Sequence, residues 1–201
     1  VAHGARWIEV DVRWTGAGEP VLSHDPLGSR EGVPTLREAV ESMADNGANL
    51  YLHLKGGALG AEEARKLIAI CRANHFLSRV RFNSGSFETL RRVREADPAV
   101  WLEYDLYDAK GLLWSNRLNG GDLSAIRDLA VRSVGTFSFK IDSVLVDEAH
   151  RHGLLVDALV SARDMPFHVE NEAYREMLRL NVDEIMTDEI NRYLAVVLPA
   201  R

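Results

Sequence analysis

From residue 7 to residue 187 the chain alternates between two hydropathy patterns. Short runs rich in β-branched and aromatic residues fall at Trp7–Val12, Asn49–Leu54, Val80–Asn83, Ala99–Leu102, Leu154–Val160 and Glu184–Met186, with a weaker run at Val134–Phe139. Between them lie helical stretches at Leu36–Asp45, Ala61–Asn74, Phe87–Ala96, Leu123–Arg132, Ser143–His152 and Glu170–Leu180. Ala64, Leu67, Ile68 and Cys71 recur at i, i+3, i+4 and i+7, which places them on one apolar stripe of a helix. Leu123, Ile126, Leu129 and Ala130 repeat that pattern. Strands alternating with helices of this length predict parallel β/α units.

The units follow one another with no Ser/Pro-rich linker and no shift in charge, which predicts one domain over residues 1–201. A doubly wound sheet would normally carry a Gly-rich phosphate loop after its first strand, and neither G-x-G-x-x-G nor G-x-x-x-x-G-K-[ST] occurs. A (β/α)8 TIM barrel is the better expectation, although such barrels average nearer ~250 residues. Val1-Ala2-His3-Gly4-Ala5 reads as a helix end capped by Gly4 and followed at once by a strand. The expectation is therefore a barrel that lacks its first strand and helix in these 201 residues, its open edges filled by a preceding strand or covered by a partner chain.

Charge removes several function classes. Lys and Arg total 24 against 30 Asp and Glu, for a net charge of −6. A protein gripping many phosphates of a nucleic acid carries a basic excess, so no nucleic-acid partner is expected. No run reaches the ~18 apolar residues of a membrane span. The single Cys71 can form no disulfide within the chain and no C-x-x-C zinc pattern exists, in keeping with a cytoplasmic protein.

Candidate chemistry begins in the first strand. In Ile8-Glu9-Val10-Asp11-Val12 the period of two puts Glu9 and Asp11 on one face and the aliphatic residues on the other. The plain alternative is a solvated strand face. Two carboxylates on an interior face instead repel unless a cation or base lies between them. Thr15–Pro20 form a turn, and Val21-Leu22 returns the chain to Ser23-His24-Asp25-Pro26, bringing His24 back toward the acidic pair. In Tyr51-Leu52-His53-Leu54-Lys55 the same parity places His53 and Lys55 on one face, with Tyr51 as third member. His53 offers a neutral nitrogen to a metal, and Lys55 a fixed positive charge to an anion.

These residues carry a family resemblance. Gly4-Ala5-x-x-Ile8-Glu9-x-Asp11-Val12-x-x-Thr15 followed by Pro20-Val21-x-x-His24-Asp25 resembles the core signature of the glycerophosphodiester phosphodiesterases. Val33-Pro34-Thr35-Leu36-x-Glu38, Ser86-Phe87 with Leu90, His152-Gly153-Leu154-x-Val156 and Ile185-Met186-Thr187-Asp188 resemble further family segments in the same order. The resemblance implies a TIM barrel that hydrolyses a small-molecule phosphodiester to an alcohol and glycerol 3-phosphate with a divalent metal ion, usually Mg2+ or Ca2+. It implies Glu9 and Asp11 as metal ligands, His24 as one of two catalytic histidines and Lys55 as a catalytic, phosphate-holding cation. Lys140, near a late strand end, is a further candidate substrate contact.

Some positions depart from the family pattern. The His-Arg-Gly motif of the first family strand would precede Val1. His53 stands where the family has its third acidic ligand, which makes it the expected third metal ligand and makes a transition metal a candidate. Leu159-Val160 replace a Trp-Thr pair, and Ala17-Gly18 replace Asp-Gly. The competing reading is a catalytically silent barrel that binds anionic ligands or a protein partner.

Other residues have plainer expectations. Glu103 alternates with Trp101 and Asp105 and reads as a strand-end or loop residue; Tyr107 and Trp114 fall in a loop-like stretch, 104–121. His75, His150, His152 and His168 read as helix or loop histidines, Arg91, Arg92 and Arg94 as a solvated helix face, and Cys71 as core.

Overall fold

The computed structural model of the chain describes residues 5–27, 32–43, 47–106, 117–161 and 167–197. They form an α/β alternation divided into two compact units, Val1–Glu103 and Tyr104–Arg201.

In the first unit a hairpin opens the sheet. β1 (Trp7–Trp14) pairs antiparallel with the three-residue β2 (Pro20–Leu22). The turn closes through Gly18 N donating to Thr15 O at 2.9 Å and Thr15 N to Glu19 O at 3.0 Å. Gly18 sits at φ +71°, where a side chain would be strained. α1 (Leu36–Met43), β3 (Asn49–Leu54), α2 (Ala61–Ala73), β4 (Val80–Ser84) and α3 (Phe87–Ala96) follow, and β5 (Trp101–Asp105) begins in this unit and ends in the next. β1, β3 and β4 are parallel neighbours.

The Pro34-Thr35-Leu36-x-Glu38 segment has a local physical cause. Thr35 caps α1: Glu38 N donates to Thr35 Oγ1 at 3.1 Å, and Thr35 N donates back to Glu38 Oε2 at 2.7 Å. Ser86 likewise caps α3, its Oγ accepting from Thr89 N at 3.3 Å.

Register sorts the side chains of this sheet into two faces. Glu9 lies opposite Tyr51 and Asp11 opposite His53, while Tyr51 lies opposite Arg81 and His53 opposite Asn83. Polar and aromatic residues therefore share one face. Val12, Leu50, Leu52 and Phe82 take the other and are fully buried with Val40, Leu67, Cys71 and Leu90 of the helices. The helical stripe expected around Cys71 is thus core.

The second unit repeats the plan: α4 (Gly120–Asp128), β6 (Ser133–Phe137), α5 (Ser143–Arg151), β7 (Leu155–Val160), α6 (Phe167–Arg179), β8 (Glu184–Thr187) and α7 (Ile190–Val197). β6, β7 and β8 run parallel. Asp142 caps α5 by accepting from Leu145 N at 3.0 Å. At the other end of α5, Gly153 N donates to His150 O at 3.0 Å, and Leu154 N to Ala149 O at 3.0 Å. That reversal feeds β7 and accounts for the His152-Gly153-Leu154 segment.

Several boundaries differ from the expected ones. α4 begins at Gly120 rather than Leu123, because Asn119 caps it by accepting from Gly121 N and Asp122 N at 2.9 and 3.0 Å. β5 starts at Trp101 and places Glu103, expected at a strand end or in a loop, at mid-strand, with Asp105 at the strand end. The weak run at 134–139 splits into β6 and a 3-10 turn, Ser138–Lys140. α7 adds a helix that the hydropathy pattern did not single out. His3, Gly4, Tyr107, Trp114 and the side chain of His168 lie outside the described residues.

Candidate active site

Strand parity and parallel register together build one polar cluster in the first unit. Asp11 Oδ1 lies 3.1 Å from His53 Nδ1 and 3.0 Å from Lys55 Nζ, and Glu9 Oε1 lies 3.9 Å from the same His53 nitrogen. Lys55 follows β3 directly, its N–H donating to Val12 O at 3.0 Å, so β1 holds it beside Asp11. Four residues expected to converge do so: Glu9, Asp11, His53 and Lys55.

The cluster's charges are strongly interdependent. Burial, and then the neighbouring Asp11 charge, push the Glu9 carboxyl up to about 7 against the opposing pull of His53 and Lys55. Burial also works against ionised Asp11. There the contacts and charges of His53 and Lys55 outweigh it and hold the group below its usual range. Asp11 is thus the more acidic of the two carboxyls and Glu9 the less acidic.

Glu9, Asp11 and His53 each place a ligand atom within 4.8 Å of the others, a spacing that one cation can bridge. Asp11 Oδ1 is buried and, although two cationic groups approach it, receives no well-directed hydrogen bond. A buried carboxylate oxygen, a second carboxylate and an imidazole suit a divalent ion. Two oxygens with one nitrogen form a mixed set that also accepts borderline metals.

His24 is placed differently. Its backbone is tied to the end of β1: Ser23 N donates to Asp11 O at 3.0 Å, and Arg13 Nε and Nη2 donate to His24 O at 3.1 and 2.9 Å. The ring does not join the metal-competent group. Its side chain is 64% exposed, and Nδ1 lies 2.9 Å from Asp25 Oδ1. Contact with His24, and then the imidazole's charge, hold the Asp25 carboxyl below the usual range. Lys140 lies in the second unit, at the end of the 3-10 turn after β6, with Nζ 5.8 Å from the Phe139 ring centroid.

A second polar cluster, without a clear motif in the sequence, lies one step toward the N-terminal ends of the strands. Glu103 is fully buried and accepts from Tyr51 Oη at 2.5 Å and Asn83 Nδ2 at 3.2 Å. Arg81 Nη1 lies 3.5 Å from its other oxygen, and the guanidinium sits over the rings of Trp7 and Tyr51 at 4.7 and 4.2 Å. The available signal was Arg81 and Asn83 alternating with Val80 and Phe82, in phase with Trp101, Glu103 and Asp105.

No protein-family model and no curated protein matches the chain in sequence. Solved structures match it in fold. A protein named as a glycerophosphoryl diester phosphodiesterase from Silicibacter pomeroyi superposes with a TM-score of 0.79 at 21% identity, over 98% of this chain and 84% of that one. A phosphodiesterase from Oleispira antarctica, in complex with the product sn-glycerol-3-phosphate, gives 0.78 at 18% identity, over 97% of this chain and 86% of the other. A glycerophosphodiester phosphodiesterase from Agrobacterium tumefaciens gives 0.69 at 18%, covering 96% and 88%. At these identities the likeness establishes a shared fold.

Proposed function

We propose that the protein is a glycerophosphodiester phosphodiesterase whose reaction centre is Glu9, Asp11, His53 and Lys55, with His24 as its proton carrier. The observation that carries this reading is the approach of both carboxylates, an imidazole and an ammonium at the strand ends of a fold shared with such enzymes. The same reading makes residues 1–201 one barrel-type domain, supported by a likeness that spans nearly the whole chain.

The chemistry follows from charge. A phosphodiester anion repels nucleophiles, so the site must draw charge from its oxygens. Glu9, Asp11 and His53 would hold a divalent cation, which when bound supplies that Lewis-acid withdrawal. The Lys55 ammonium adds a second positive charge and orients the phosphoryl group. Asp25 engages His24 Nδ1 and leaves Nε2 to take a proton from the nucleophile or deliver one to the departing alkoxide. Arg13 fixes the carbonyl of His24 and thereby the loop that carries the ring.

Release of sn-glycerol 3-phosphate from a glycerophosphodiester tests this, measured after EDTA treatment and again after adding Mg2+, Ca2+, Mn2+ or Zn2+. The expected result is activity that needs a cation and is lost in Asp11→Asn. The exposure of the His24 ring favours one other reading, a silent domain that binds anions. Binding of glycerol 3-phosphate without turnover under every cation would select it.

A further inference from the structure

A groove of about 560 Å3 lies beyond the C-terminal ends of β1 and β3, within the first unit. Its lining includes Arg13, Trp14, Pro26, Leu27, Lys55 and Glu63. The volume is in the range of small-molecule sites. Lys55 belongs both to this groove and to the reaction centre, with Nζ 3.0 Å from Asp11. A phosphoryl group at Lys55 therefore has the groove as space for one of its substituents. Gly56 turns the chain just after Lys55 at φ +107°, and a Cβ there or at Gly57 would meet open space. Among the described residues, no side chain fills the volume.

The lining has a definite chemical character. Trp14 and Glu63 are both half-buried. Glu63 Oε2 accepts from Gly60 N at 2.7 Å, which fixes the carboxylate in the first turn of α2. Arg13 is held in place by Nε and Nη2 both donating to His24 O, a neutral carbonyl, so its guanidinium stays fixed and keeps its positive charge on the groove wall. An indole face attracts cations more strongly than any other side-chain ring, and a fixed carboxylate adds opposite charge. Pro26 and Leu27 suit methylene or methyl groups.

Resting on the phosphodiesterase reading above, we infer that this groove receives the alcohol portion of the diester, and that Trp14 and Glu63 select an alcohol bearing an ammonium group. The preferred substrate is zwitterionic: its phosphoryl lies at Lys55 and its cationic head group lies against Trp14 and Glu63.

The test compares glycerophosphocholine with glycerophosphoglycerol, which share the phosphodiester and differ in the charge of one alcohol. In the wild type kcat/KM favours the choline ester by about two- to thirtyfold, carried mainly by KM. Glu63→Gln, which keeps an oxygen for Gly60 N–H, and Trp14→Leu each bring that ratio toward one. A wild-type ratio near one, or a ratio that neither substitution moves, overturns the inference. Absence of turnover with both esters would instead defeat the phosphodiesterase reading. Calorimetric titration with phosphocholine and with glycerol 3-phosphate then reads the groove separately. Tighter binding of phosphocholine, lost in Glu63→Gln, upholds the assignment, and equal affinities remove it.

Discussion

Tyr51 and Glu103, 52 residues apart in the chain, meet through a hydrogen bond of 2.5 Å inside the first unit. Glu103 is completely buried, and Arg81, itself 3% exposed, lies 3.5 Å from its second oxygen. Beside the reaction centre, then, lies a buried charge pair whose carboxylate is held by Tyr51, Asn83 and Arg81. Removing one member of such a pair leaves a buried charge without compensation.

Glu103→Ala should therefore destabilise the protein by about 3–5 kcal/mol, well beyond an ordinary truncation. Tyr51→Phe should cost about 1–3 kcal/mol, since it withdraws one donor and keeps the ring beneath Arg81. Urea denaturation followed by circular dichroism measures both. A loss below about 1 kcal/mol for Glu103→Ala would show that the pair is not integral to the core.

Glu9 predicts a pH dependence of opposite sign to a salt-bridged carboxylate. Its pKa rises from 4.5 to about 7 on folding, chiefly through burial and then through the Asp11 charge. Below 4.5 both states are protonated and there is no penalty. As pH rises toward 7 the unfolded chain ionises first, so this group's contribution to stability falls. In metal-free protein Glu9→Gln should match the wild type at about pH 4, below the unfolded value of 4.5. At pH 8 it should be more stable by roughly 2 kcal/mol, allowing for solvent screening. Thermal melts in EDTA at the two pH values decide it, and an equal difference at both would refute the burial argument.

The donor set predicts a metal preference. Imidazole suits borderline ions, whereas magnesium and calcium favour an all-oxygen shell. Wild-type protein should bind Zn2+ or Mn2+ more tightly than Mg2+, and His53→Glu should narrow that gap by about tenfold or more. Calorimetric titration of each ion into both proteins reads this without any assay of activity. An unchanged order of affinities would mean that His53 does not reach the ion.

Cys71 offers a check on the core. It is fully buried on the α2 stripe, and burial pushes its thiol up to about 12. At pH 8 native protein should react with a thiol reagent on the order of a thousandfold more slowly than the same protein in urea, since the thiolate is the nucleophile. Comparable rates in the two states would show that α2 does not pack as described.

Much of this arrangement was legible along the chain because its causes are local. Alternation with a period of two marked Glu9 with Asp11 and His53 with Lys55 as same-face pairs, and the i, i+3, i+4, i+7 stripe marked Cys71 as core. The Thr35–Glu38 cap explains why Pro34-Thr35-Leu36-x-Glu38 opens α1. Long-range placement had no such signature. That Asp11 faces His53 depends on the parallel register of β1 with β3, and that Glu103 meets Tyr51 depends on strands joined through two helices. The resting place of the His24 ring is set by Asp25 and by the Arg13 grip on its carbonyl, both weaker than the backbone periodicity that carried the strands. Parity follows from the geometry of each residue, whereas register and loop pose follow from the packing of the whole, and a sequence states the first directly and the second only through its fold.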